Sequence, residues 1–322
     1  MEALKDQQAE QQRPAWASVV FIILTLLAGF IFVGPLIGFL AAIPFIEGSI
    51  PNFVSQMGDP VGHPEIKTPM FIIQGCATFF GLAVGPSLYW WRYEKQNPIY
   101  LFKKKQIPVL IILVTLLLVL SFMVTNSVFI EWNANVKFPG ILHDFGMWAK
   151  EKETIAEQIT TFLTTFDSAG QFILTFFIIA LLAGFSEELV FRGMLQPQLY
   201  RATNNIHAAI WMTAFLFSAL HMQFFGFVPR MLLGALFGYL YYWSGNLLIP
   251  MFAHVVNNGF SIIVLYLHQL GKVDMDVDST NAEPWSAVIP FTLITAGLLF
   301  YFNRFYNTYN SKSLDFRPDK IQ

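Results

Sequence analysis

The chain has 322 residues, of which 55% are hydrophobic and only 12% charged, against roughly 45–50% and about 25% in an average soluble domain. So much apolar surface needs lipid to cover it, which excludes an ordinary soluble fold. The formal net charge of −2, with no basic patch carrying interleaved aromatics, gives no electrostatic case for nucleic acid.

The opening segment, 1–16, is polar, acidic and Gln-rich, unlike the positively charged start of a signal peptide, so the first apolar run reads as a retained span. A helix needs about 20 mostly apolar residues to cross the hydrocarbon core. Candidate spans follow at 17–46, 70–91, 107–130, 171–196, 206–222, 228–243, 247–267 and 285–305. The fold expected is therefore an all-α, polytopic membrane bundle of about eight transmembrane helices.

Gly29, Gly34, Pro35, Gly38 and Pro44 interrupt the first run and point to a kink or to close helix packing. Cys76, the single cysteine, lies inside the second run; it rules out a disulfide framework and reads as a buried spacer. Between the third and fourth runs, Ile141, Leu142, Phe145, Trp148, Ile155, Ile159 and Leu163 are spaced among charges, the pattern of an amphipathic helix at the interface or over a cavity mouth. The fifth and sixth runs are short, as expected of helices that lean around a polar intramembrane cavity.

Arg92, Lys95, Lys103, Lys104 and Lys105 share the loop between the second and third runs, whereas the first loop, with Glu47, Asp59 and Glu65, has only Lys67. Basic loops face the cytoplasm, so both termini are expected there. The tail agrees through Arg304, Lys312, Arg317 and Lys320, and the loop with Asp274, Asp276, Asp278 and Glu283 falls outside.

In the second half, residues 184–193 place Glu187, Glu188 and Arg192 in an apolar setting, where each charge costs about 2.5–3.5 kcal/mol at a helix centre. Glu188 and Arg192 are four apart and can pair; Glu187 has no such partner along its own helix. Adjacent carboxylates crowd each other's charge and leave a group able to take a proton, as a general base must. Further on, His221 ends the fifth run one turn after Phe217, and His254 lies one turn before Asn258 on the same helical face. Taken singly, an intramembrane histidine is more often a hydrogen bonder between helices. A paired Glu, two His and an Asn on three helices make sense together only if they converge.

Glu187-Glu188-x-x-x-Arg192, Phe217-x-x-x-His221 and His254-x-x-x-Asn258 resemble the three motifs of the CPBP family of intramembrane proteases, which includes the CAAX-processing prenyl endopeptidases of the Rce1 type and the Abi proteins. The stretch 234–250 is similar to the segment before the family's last motif, and the resemblance covers about 172–266. It implies hydrolysis of a peptide or protein substrate at the membrane. Glu187, as general base, and His221 would activate a water. His254 and Asn258 would stabilise the oxyanion. Glu188 would join the catalytic set, supporting the site and touching the same water, with Arg192 and Phe217 as structural support. The resemblance also divides the chain into a cytoplasmic segment 1–16, N-terminal helices with the amphipathic helix at 17–168, a catalytic core at 169–270, and a last span with cytoplasmic tail at 271–322.

No His-Glu-x-x-His helix, Gly-x-Ser-x-Gly elbow or Gly-x-Gly-Asp run is present, which argues against zincin, serine and aspartyl chemistries. The metal question stays open at this level. Glu187, His221 and His254 are a ligand set for zinc, yet Glu187 serves less easily as ligand and base together, which favours no obligatory metal. Two other functions compete: a non-catalytic immunity or scaffolding protein of the same fold, and a proton-coupled transporter. The first predicts a missing motif residue and the second an internal repeat; neither is seen. Orientation adds an expectation of substrate entry from the cytoplasmic side. His63, His143, His207 and His268 read as surface or interface residues, and Arg230 as a snorkelling anchor.

Overall fold

In the computed structural model, which describes residues 13–102, 106–274 and 279–312, every regular element among the described residues is helical. Lys103, Lys104, Lys105, Asp276, Asp278, Arg317 and Lys320 lie outside them. Nine helices of ten or more residues organise the described residues: α1 Ala15–Phe45, α2 Pro64–Arg92, α3 Val109–Ala134, α4 His143–Thr164, α5 Ala169–Thr203, α6 Ile206–Ala219, α7 Phe227–Ser244, α8 Leu248–Gln269 and α9 Trp285–Lys312. Seven are long and apolar enough to cross a membrane, counting the turn Phe224–Gly226 with α7. The exceptions are α6, apolar but only 14 residues, and the amphipathic α4. The chain is a multi-pass membrane protein.

The glycines of α1 bring its backbone against α2. A Cβ on Gly29 would lie 2.6 Å from Gly81 O, and one on Gly81 would lie 2.6 Å from Phe30 Cα. Cys76 fills the same seam, its Cβ 3.0 Å from where a Gly38 Cβ would stand. Since both helices would have to part, Gly81→Ala should destabilise the protein by about 1–3 kcal/mol, read as a lowered melting temperature in detergent.

Across the bundle, α3 and α9 are joined by hydroxyls: Thr295 donates to Ser121 (3.0 Å), and Thr292 to Thr125 (3.3 Å). Such bonds let helices associate where the hydrophobic effect offers nothing. Near the C-terminal end of α3, Asn133 receives the Val228 N–H (2.6 Å) and donates to Phe224 O (2.9 Å), pinning the turn between α6 and α7. Amphipathic α4 lies over that turn. Phe145 and Trp148 pack on Phe224, Phe138 on Phe225, and Glu153 Oε2 accepts the Phe225 N–H (3.2 Å). Its other end buries Phe162 and Leu163 against Phe53, Ile66 and Ile178.

The fourth span is longer than its composition suggests. Gln196-Pro197-Gln198 reads as an end, yet α5 runs on to Thr203, because the proline falls at the start of a regular α stretch after a wide π turn over Leu189–Leu195. Asn204 then closes the helix in the left-handed region (φ 51°), and Asn205 caps α6 by accepting from the N–H groups of His207 and Ala208.

Candidate active site

Glu187 sits near the middle of α5. Helix α6 starts beside the other end of α5 and, at about 21 Å long, is too short to cross the membrane; it stops at that depth and delivers His221 on the irregular turn that follows. Helix α7 descends alongside α5, with Gly234 O accepting from Arg192 Nη2 (2.7 Å) and Gly238 O from Gln196 Nε2 (3.2 Å). Helix α8 rises from the depth of Gly193, whose nearest neighbours include Leu247, and so carries His254 up to Glu187 and Glu188. Non-helical backbone at this depth is tolerated where protein encloses it.

The three motifs meet. Glu187 Oε2 lies 4.0 Å from His221 Nε2 and 4.0 Å from His254 Nε2. Glu188 Oε1 accepts from Arg192 Nη1 (2.7 Å) and from His254 Nδ1 (2.9 Å). Glu188 and Arg192 are wholly buried, whereas the Glu187 side chain is 14% and the His221 side chain 32% exposed. The cluster is therefore sealed on the Arg192 side and open on the His221 side.

These partners fix the imidazoles. His221 Nδ1 is 2.7 Å from Phe217 O; a carbonyl only accepts, so Nδ1 carries the proton. His254 Nδ1 faces a carboxylate oxygen already bound by Arg192, and it too donates. In the neutral form, both Nε2 atoms then present lone pairs towards Glu187. Glu187 Oε2 is itself buried and receives no hydrogen bond from the described residues. Three acceptors thus converge on one point.

The ligand types are those of a zinc site, but the spacing is not. With metal bonds of about 2.0–2.1 Å, two atoms 4.0 Å apart would stand almost opposite each other across the ion, far from tetrahedral. Among the described residues no group of three or more His, Cys, Asp or Glu is arranged to hold a metal. A water suits the spacing: about 2.8 Å from each of two atoms 4.0 Å apart is an ordinary bridging position.

Phe217 packs among the motif side chains. Its ring lies 5.0 Å from the Arg192 guanidinium, 5.0 Å from the His221 ring and 5.9 Å from that of His254. Phe237, which the motifs do not include, has an equal part, stacked at 5.2 Å on His254 and 5.5 Å from Arg192. Only its four-residue spacing from Leu233 and Tyr241 could have drawn attention to it, and that also describes ordinary core. Asn258, one turn after His254, is held by other partners: its Nδ2 donates to Ile179 O (3.0 Å) and its Oδ1 accepts from Asn257 (3.1 Å). His63, His143, His207 and His268 are each engaged elsewhere, with Glu65, Asp144, Tyr239 and Val273 O.

Arg230 turns its guanidinium back to Gln223, with Nη2 2.8 Å from Oε1 and Nη1 3.4 Å from the backbone oxygen. The cavity of ≈510 Å³ between α2 and α5 is lined by Val84, Leu88, Trp91, Ile99, Phe102 and Phe185. Leu189, beside Glu188, also lines it, but the cavity is mostly apolar and none of the motif side chains faces it.

Comparison with known proteins adds the family. Residues 169–260 match the model for type II CAAX prenyl endopeptidases, Rce1-like. "Uncharacterized protein YpbD" of Bacillus subtilis (strain 168) is 32% identical over 111 residues, covering 33% of this chain and 54% of that protein, so the chain spans about half the length of this curated relative. No solved structure matches. The matched segment holds α5 to the middle of α8, the helices that bring Glu187, His221 and His254 together, and over residues 169–260 the chain is thus similar to the Rce1-like CAAX prenyl endopeptidases.

Proposed function

We propose that the protein is an intramembrane endopeptidase in which Glu187 and His221 activate a water for attack on a peptide carbonyl. The observation that carries this reading is the convergence of Glu187 Oε2 with the two Nε2 atoms at 4.0 Å each. A water there donates one hydrogen bond to Glu187 and one to His221 Nε2, leaving a lone pair for the carbonyl carbon. Glu187 takes the proton and returns it to the leaving amine.

His254 completes the reaction in its protonated form. Only then does Nε2 donate to the oxyanion, while the Glu188 carboxylate, 2.9 Å from Nδ1, offsets the imidazolium charge. Asn258 spends one amide N–H on Ile179 O and has its second for the same oxyanion. Loss of one such donor typically costs 10²–10³ in kcat. Asn258→Ala is therefore expected to lower kcat by about that factor with KM nearly unchanged, in steady-state cleavage by purified protein. No step passes through a metal, so a chelator should leave turnover unchanged, and elemental analysis should find no stoichiometric zinc.

The substrate is a peptide or protein at the membrane, and the protein resides in the cell membrane with both termini cytoplasmic. Entry is by the face that carries α4. What supports this is the exposed edge of His221 on the turn beneath α4, about 21 Å of α6 away from the end where Arg201 donates to Arg13 O. Glu187, near the middle of a helix of 35 residues, does not by its depth favour entry from the cytoplasmic half.

A further inference from the structure

Two arginines stand beside the cluster, and they are provided for differently. Arg192 is fully buried and paired with Glu188 at 2.7 Å. Arg230, in the first turn of α7, is half-buried and has only Gln223 as hydrogen-bond partner; among the described residues no carboxylate comes within 4.0 Å of it. Its position is set by the fold. It precedes Gly234 by four residues and so shares the helix face whose Gly234 carbonyl meets Arg192, one turn nearer to Glu187. Gln223, which holds it, lies two residues after His221 on the same turn.

Two carboxylates feel this charge without touching it. Glu187 and Glu153 both interact with Arg230 electrostatically, as does His221. Glu153 is already engaged with the Phe225 N–H, and Glu187 is directed at the two histidines. One side of the guanidinium is kept clear by glycine, since a Cβ on Gly226 would stand 3.2 Å from Nη2. A half-buried guanidinium with donors to spare, next to a hydrolytic centre and beneath α4, is matched by a planar anion that accepts two parallel hydrogen bonds.

We propose that Arg230 is the specificity residue of this site and binds a carboxylate of the peptide substrate, a free C-terminus or an acidic side chain, placing the scissile bond over Glu187. The inference rests on the proteolytic reading, and a peptide is favoured over a lipid phosphate because the guanidinium points into the protein at the depth of Glu187. Arg230 belongs to none of the three motifs.

The test uses the full-length protein in phosphatidylcholine vesicles and a fluorescein-labelled Leu/Ala/Gly decapeptide in three forms: free acid, C-terminal amide, and amide with one internal Glu. Binding is read by anisotropy on Glu187→Gln, so that it does not depend on turnover; cleavage is read on wild type. Tighter binding of either carboxylate form than of the plain amide, by about tenfold, is expected, with the ratio falling to one in Glu187→Gln/Arg230→Gln and partly restored by Glu187→Gln/Arg230→Lys. Equal binding of all three forms, or a ratio untouched by Arg230→Gln, would overturn the proposal. So would a preference that appears only when phosphatidylglycerol is added or removed, which assigns Arg230 to lipid. A carboxylate preference with no cleavage by wild type would instead sink the proteolytic reading.

Discussion

Replacing Arg192 with Leu should cost the protein about 3–5 kcal/mol, because it strands Glu188 as a buried charge without its counter-ion. Both side chains are fully excluded from solvent, and their 2.7 Å contact is the only ion pair holding the guanidinium among the described residues. The loss also spreads. Glu188 orients His254, and the guanidinium lies close to the rings of both Phe217 and Phe237, so four helices, α5 to α8, lose their common centre. Glu188→Gln is milder, since an amide keeps a carbonyl oxygen for Arg192 and for His254 Nδ1, but it removes the charge that offsets an imidazolium. Thermal melts in detergent should rank wild type above Glu188→Gln and Glu188→Gln above Arg192→Leu. Melts of Arg192→Leu at the wild-type temperature would show that the pair does not hold the core.

The second expected effect is on chemistry alone. Glu187 is partly exposed and its Oε2 receives no protein hydrogen bond, so Glu187→Gln should insert and melt like wild type. General-base catalysis is typically worth 10²–10⁴-fold, and turnover should fall by about that factor. His221→Ala should fall comparably. Because both groups act on one water, the double variant should be no worse than the poorer single variant, as is usual for residues that work as a unit. Losses that multiply would mean that the two act on separate steps.

Much of this site was legible in the sequence because charge is so costly in an apolar helix that Glu187, Glu188 and Arg192 announce themselves. The four-residue spacings of Glu188 with Arg192 and of His254 with Asn258 each fall within one helix, whereas that of Phe217 with His221 runs past the end of α6, where Phe217 O meets His221 Nδ1 on the turn. Periodicity also found α4, since Phe145, Trp148, Ile159 and Leu163 make one apolar stripe, and its apolar face does cover the turn after His221. What was not legible depends on contacts made far along the chain. Arg230 near a span end carries the same local signal as a snorkelling anchor, and only the fold of the 220–226 turn sends it to Gln223. Asn258 shares a face with His254, but sequence does not reveal that Ile179 O takes one of its donors. The π turns that let α5 continue through Pro197 leave no periodic mark.

The most direct test is whether peptide bonds are broken in a Glu187-dependent way. Purified wild-type protein and Glu187→Gln, each in vesicles, would be incubated with a mixture of hydrophobic peptides and the products read by mass spectrometry for new termini. The account predicts discrete new termini with wild type that are absent with Glu187→Gln, although the variant is folded and inserted alike. The same termini from both proteins, or none from either across the mixture, would contradict it.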